Sequence, residues 1–204
     1  MEALLQQTVA NMEKRGFEVV QVKTGADARE YLLSRIETSK TVGAGGSMSL
    51  REIGILPALK EKGCTVYTHS GAKGDEAETL MRKAREADVY LCSVNAIAKT
   101  GQLVMIDGRG NRVGAICDGP HEVYLVVSQN KVVDGGLNAA IARVKKEASP
   151  PNCRRLGIPT HCAEIGTCAG LECRDSICRV TVALDFVPRM RKITVVLTEE
   201  KLGF

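Results

Sequence analysis

The chain has 204 residues, 44% hydrophobic and 25% charged, with a formal net charge of +4, which is the composition of an ordinary globular domain. It has no Trp, three Phe and four Tyr. Its short basic clusters, "RVKK" and "PRMRK", read as solvated, and a single-strand nucleic-acid binder, which stacks bases on aromatic rings beside its cations, is not expected.

The opening segment, "MEALLQQTVANMEKRG", has an acid at position 2 and no continuous apolar run, so it does not read as a secretory signal. It places Met1, Leu4, Leu5, Val9 and Met12 on one helical face, with Gly16 as a stop. No stretch approaches the about 18 apolar residues that span a bilayer. The expected compartment is the cytoplasm, with reduced thiols.

"FEVVQV" (17–22) is short and β-branched, hence a strand. Thr24 and Asp27 form a capping box before a helical stripe of Ala28, Tyr31, Leu32 and Ile36. "KTVGAGGSMSLREIGI" (40–55) begins as a strand at Thr41-Val42, passes through Gly43, Gly45 and Gly46, and starts a helix with Ser49 and Glu52 as a second capping box. Pro57 suits the first position of another short helix. "CTVYTH" (64–69), the helix in "GDEAETLMRKAREA" and the strand "DVYLCSV" (88–94) follow. This alternation predicts an α/β fold with a mostly parallel sheet covered by helices.

"GQLVMID-GRGN-RVGAICDG" reads as a β-hairpin of two apolar runs around a glycine turn. "EVYLVVS" (122–128) has the continuous apolar character of a strand buried on both faces. "GLNAAIARVKKEA" is a helix, ended by Pro150 and Pro151. After the cysteine segment come two strands, "ICRVTVALDF" and "KITVVLTEE". No repeat or linker divides the chain, so residues 1–204 form one domain.

A strand followed by a glycine loop and a helix start is an anion site in physical terms. Glycines admit a ligand to the main chain, and N–H groups there point outward. "GAGGS" lacks the Lys-Ser/Thr ending of a Walker loop, and the third position of G-x-G-x-x-G falls on Met48. A plain turn and a phosphate, carboxylate or CoA-type site both fit the residues.

The block "SVNAIAKTGQLVMIDGRGNRVGAICDGPHEVYLVVSQNKVV" (93–133) resembles the core of the lactate-utilization (LUD) domain family. "VGAGGSMSLREIGI" resembles that family's early glycine-serine motif. "CRRLGIPTHCAEIGTC…DSICRVTVAL" and "KITVVLTEEKLGF" are similar to its small stand-alone members. The fold this implies is the doubly wound sheet with an antiparallel hairpin shared with ribose-phosphate isomerases and CoA transferases. The residues the resemblance marks are Gly45, Gly46, Ser47 and Ser49, then Asn95, Thr100, Gly101, Asp107, Asn111, Arg112, Gly119 and Pro120. Arg112 suits a bidentate clamp on a carboxylate or phosphate, braced by Asp107. Its replacement by alanine is expected to weaken ligand binding without unfolding the domain. His121 is a candidate acid/base because it titrates near neutrality, Glu164 is a second, and His69 and His161 rank lower.

Five of the eight cysteines form Cys153-x8-Cys162-x5-Cys168-x4-Cys173-x4-Cys178. No C-x2-C pair is present, so this is not a standard zinc or cluster signature. Cys162, Cys168, Cys173 and Cys178 nevertheless suffice for zinc or an iron–sulfur cluster, with Cys153 spare and His161 as a substitute. Buried reduced thiols fit equally well. Cys64, Cys92 and Cys117 read as core thiols.

The leading expectation is a protein of organic-acid, lactate-type metabolism that binds a small anionic metabolite at Gly45, Gly46, Ser47 and Ser49, helped by Asn95 and Arg112. The alternative is an electron-relay subunit whose cysteine segment holds a metal or cluster and docks on partner oxidoreductase subunits. A sugar-phosphate isomerase or CoA transferase is a weaker one.

Overall fold

The computed structural model describes residues 2–170, 173 and 175–204; Met1 of the first helical stripe lies outside them. The first half alternates as the sequence predicts: α1 (Glu2–Lys14), β1 (Glu18–Val22), α2 (Gly25–Arg35), β2 (Thr41–Ala44), α3 (Met48–Glu52), α4 (Ile55–Lys62), β3 (Thr65–Thr68), α5 (Gly74–Arg85) and β4 (Val89–Cys92). Then come β5 (Ala96–Ala98), β6 (Leu103–Asp107), α6 (Asn111–Asp118), β7 (Glu122–Ser128), β8 (Val132–Val133), α7 (Leu137–Arg143), α8 (Ser149–Leu156), α9 (His161–Ile165), β9 (Val180–Leu184) and β10 (Lys192–Thr198).

Six strands form a parallel sheet in the order β1-β10-β7-β4-β2-β3. Strand alternation divides its side chains between two cores. Tyr90, Cys92, Val123, Leu125 and Val127 pack with Met12 of α1, Ala84 of α5 and Ile116 of α6. Val89, Leu91, Tyr124 and Val126 pack with Leu32 of α2, Leu50 of α3 and Leu59 of α4. Helices therefore cover both faces, and the sheet is doubly wound.

A second sheet, ordered β8-β5-β6-β9, carries the antiparallel pairs β5–β6 and β6–β9. The predicted hairpin is displaced. Its turn lies at Thr100-Gly101, between β5 and β6, and "NRVGAICD" is the helix α6. Val113 and Ile116 sit three apart and are buried, a helical spacing that a short apolar run conceals. Gly110, left-handed at φ 79, opens the helix. The Asp107 carboxylate caps it by accepting from the Arg112 and Val113 N–H groups at 3.0 and 3.1 Å.

Pro150 and Pro151 do not end the helix before them. A π-helical segment, Val144–Ala148, joins α7 to α8. The prolines fall in the first turn of α8, where a missing N–H removes no helical bond. Thr24 and Asp27 form the predicted capping box. At the second expected box, Ser47 is the cap and accepts from the Leu50 N–H at 3.3 Å. Ser49 lies inside the helix, and Pro57 sits in the first turn of α4 after Ile55 and Leu56.

Gly43 shows how tightly β2 meets α5: a Cβ there would stand 2.0 Å from the Ala84 carbonyl oxygen. That neighbour is backbone and cannot rotate away. Gly43→Ala is expected to destabilise the fold by about 1–3 kcal/mol, seen as a lower urea midpoint at unchanged slope. An unchanged midpoint would contradict this packing.

Candidate anion-binding cleft

The carboxyl ends of β2, β4 and β7 open into a cleft of about 1390 Å³. β2 delivers Gly45, Gly46 and Ser47, β4 delivers Ser93 and Asn95, and the turn after β7 delivers Lys131. All of them line it, with Arg112. α8 and the segment after it form one wall, through Asn152, Arg155, Ile158 and Ser176. The two ends of the cysteine-rich segment thus contribute to the cleft wall, and none of its cysteines lines it.

Gly45 is required by packing. A Cβ there would lie 2.6 Å from both Arg112 Cγ and the Tyr90 hydroxyl oxygen. Its own N–H donates to the Leu91 carbonyl at 3.1 Å, closing the sheet. At Gly46 the nearest atom a Cβ would meet is His69 Nε2, at 3.9 Å, so this is where the loop has room for a ligand. α3 has only five residues, too short for much of a helix dipole. Attraction for an anion therefore falls to side chains.

Those side chains are strongly biased. Eight Lys and Arg residues and His69 line the cleft, against the carboxylates of Asp107 and Asp175. Asp107 is neutralised within the fold: Arg112 Nε donates to its Oδ1 at 2.7 Å, and Arg112 Nη2 lies 2.5 Å from the same oxygen. Arg112 Nη2 also donates to Asn95 Oδ1 at 3.3 Å and to the Ile106 carbonyl at 3.0 Å. Asn95 Oδ1 accepts in addition from the Ile106 N–H at 3.0 Å. Arg112 and Asn95 stand at the cleft as the resemblance implies, but much of their hydrogen-bonding capacity already fixes β6 to α6.

Ser49 faces inward and is buried. Its Oγ accepts from Lys131 Nζ at 3.1 Å, and Ser93 Oγ accepts from the same Nζ at 3.0 Å. Burial, then the nearby Arg143 and Arg112, lower the Lys131 pKa to about 7. Sequence reading missed this residue. Its signal is slight: a lysine ending a short polar stretch between two apolar pairs in "VVSQNKVV". His69 enters the cleft beside Gly46, its Nδ1 buried without a hydrogen-bond partner. Burial and then the Arg109 charge hold its pKa below the ordinary value, favouring neutral imidazole at neutral pH.

His121 is exposed at the amino end of β7, opposite the cleft, where its carbonyl accepts from the Lys192 N–H at 2.7 Å. Glu164 is exposed on α9. Neither lines the cleft.

The cysteines pair differently from the expected set. Cys162 Sγ lies 3.9 Å from Cys153 Sγ, the presumed spare, and Cys178 Sγ lies 3.2 Å from Ser149 Oγ. Cys168 is half-buried and Cys173 exposed. Among the described residues no three His, Cys, Asp or Glu side chains are grouped to hold a metal ion. Cys162, Cys168, Cys173 and Cys178 thus do not form a common donor set there. Burial raises the Cys153 thiol to about 11. Cys64 and Cys92 are buried and Cys117 half-buried. No helix among the described residues is long and apolar enough to cross a membrane.

Among solved structures, a DUF162 family protein from Deinococcus radiodurans is similar along 97% of both chains, with a TM-score of 0.55 at 14% identity. Ribose 5-phosphate isomerase A from Methanocaldococcus jannaschii matches 70% of this chain and 66% of its own, with a TM-score of 0.38 at 18% identity. Among curated proteins none matches. The LUD domain model matches residues 5–198, nearly the whole described fold, and the chain belongs to the LUD domain family.

Proposed function

We propose that the protein binds a small organic anion of the 2-hydroxy- or 2-oxo-acid class in the cleft beyond β2, β4 and β7, as part of lactate-type organic-acid metabolism. One observation carries the reading: the cleft lining has eight Lys and Arg residues against two acidic side chains, and the pairing of Arg112 with Asp107 leaves seven against one. In a partly enclosed cleft such an imbalance concentrates anions. The Gly46–Ser47 turn offers close approach to the main chain, and His69 Nδ1 lies buried without a partner nearby. The association of LUD domains with lactate utilization supplies the substrate class.

Isothermal titration with L-lactate, pyruvate and inorganic phosphate tests this. At least one should bind at low ionic strength and weaken as salt rises. Arg109 is exposed and lines the cleft near His69. Arg109→Ala should lower the affinity several-fold without moving the thermal midpoint. Absence of binding by all three at low salt would overturn the proposal.

A further inference from the structure

We infer that Lys131 is a nucleophilic amine that condenses with the carbonyl group of an anionic substrate held in the cleft. The inference rests on the anion-binding reading above and deepens it by naming the reacting group.

Lys131 is 4% exposed yet lines the cleft, at the point where the carboxyl ends of three central strands converge. Its Nζ donates to two serine hydroxyls, Ser49 Oγ and Ser93 Oγ, and forms no ion pair with a carboxylate among the described residues. The groups facing it are Arg143 from α7 and Arg112 from α6, which oppose its charge, Glu52 from α3, which favours it, and Cys92 from β4. The Cys92 thiol is itself pushed up to about 12 by burial and stays protonated. A lysine desolvated beside other cations keeps a large neutral fraction at neutral pH, and the neutral amine is the nucleophile. A lysine serving only as a fixed positive charge is poorly placed here, since burial and the charges of Arg143 and Arg112 outweigh the groups that favour its protonated form, Glu52 and Cys92.

The chemistry balances without a redox partner. The Nζ lone pair attacks the carbonyl carbon, a C–N bond forms and the C=O π bond breaks. One Nζ proton passes to the oxygen, with the Ser49 or Ser93 hydroxyl as relay, giving a carbinolamine. Loss of water then leaves an imine: amine plus carbonyl gives imine plus water. A substrate for this site needs an anionic group for the cleft guanidiniums and a carbonyl for the amine. A 2-oxo acid and an open-chain keto phosphate share that chemistry.

The test is reductive trapping. The protein is incubated with pyruvate or with dihydroxyacetone phosphate and sodium cyanoborohydride, digested, and mapped by mass spectrometry. L-lactate, which has no carbonyl to condense, is titrated in parallel by calorimetry. A reduced adduct on Lys131 is expected with at least one carbonyl compound, forming faster at pH 8 than at pH 6, and absent from Lys131→Met. Which compound labels the residue distinguishes the two substrate classes. Lactate binding without an adduct on Lys131 would overturn the nucleophile and leave the anion site standing. Adducts spread over exposed lysines would overturn it equally. No adduct from either carbonyl compound, together with no binding by lactate, pyruvate or phosphate at low salt, would remove the anion site and this inference together.

Discussion

Arg112→Ala should lower the stability of the fold by about 3–5 kcal/mol, the loss that follows when one partner of a buried ion pair is removed. The Asp107 side chain is 2% exposed and that of Arg112 15% exposed. Without the guanidinium, Asp107 keeps two backbone donors, the Arg112 and Val113 N–H groups, but loses its counter-charge. Asn95 and the Ile106 carbonyl each lose a donor, and the void opens beside Gly45. The sequence alone leads to the opposite expectation, a ligand clamp that can be deleted without harm to the fold. Urea unfolding decides between them. Asp107→Asn added to Arg112→Ala should recover part of the loss, because it removes the stranded charge. A loss below about 1 kcal/mol, the scale of an exposed pair, would show that the pair is not integral to the fold.

Lys131→Met should change how stability depends on pH. An unfolded lysine has a pKa of about 10.4, whereas Lys131 in the fold is lowered to about 7. Between those values the unfolded chain holds more protons than the folded one, so stability rises with pH across the window. Below about 7 the full penalty applies, on the order of 5 kcal/mol, and the methionine variant is free of it. The variant should therefore gain on the parent at pH 6, and the difference should shrink as pH rises towards 10. Cys92 and Cys153, raised by burial to about 12 and about 11, act in the opposite sense above the ordinary thiol pKa of about 8.5. Cys153 is common to both proteins and cancels in the comparison, whereas Cys92 faces Lys131, so the comparison is read below the ordinary thiol range, between pH 6 and 8. Urea midpoints at pH 6 and 8 give the answer, and a constant difference would mean that Lys131 titrates normally.

Much of the fold is legible in the sequence because its strands are short, apolar and separated by amphipathic helices. "EVYLVVS" reads as a doubly buried strand and is one. The misplaced elements fail for physical reasons. "RVGAICD" has too few residues to separate a helical from an extended period, and its start depends on the Asp107 cap. The helix through Pro150 and Pro151 continues because a π turn places the prolines where helices tolerate them. The glycine loop is visible from its spacing. The reason for Gly45 is not, since it lies in Arg112 and Tyr90, distant along the chain. Lys131 is invisible because nothing local marks it. The cysteine run draws the eye, yet its described thiols group as Cys153 with Cys162 and Cys178 with Ser149, an arrangement set by where α8 and α9 pack.

The floor around Lys131 bears on how the protein becomes competent. The two hydroxyls that hold Nζ lie 82 and 38 positions away along the chain. A Cβ on Gly203 would stand 3.3 Å from the same nitrogen, and Arg143 ties the Asn95 carbonyl to that of Phe204. Contacts of such long separation need the loops between them to close, so they belong to the assembled fold and to no local segment. While the chain is still assembling, residue 131 is an ordinary solvated, protonated lysine. The surroundings that lower its charge exist only in the assembled fold, where Ser49, Ser93, Arg143 and Gly203 close on it from separate parts of the chain.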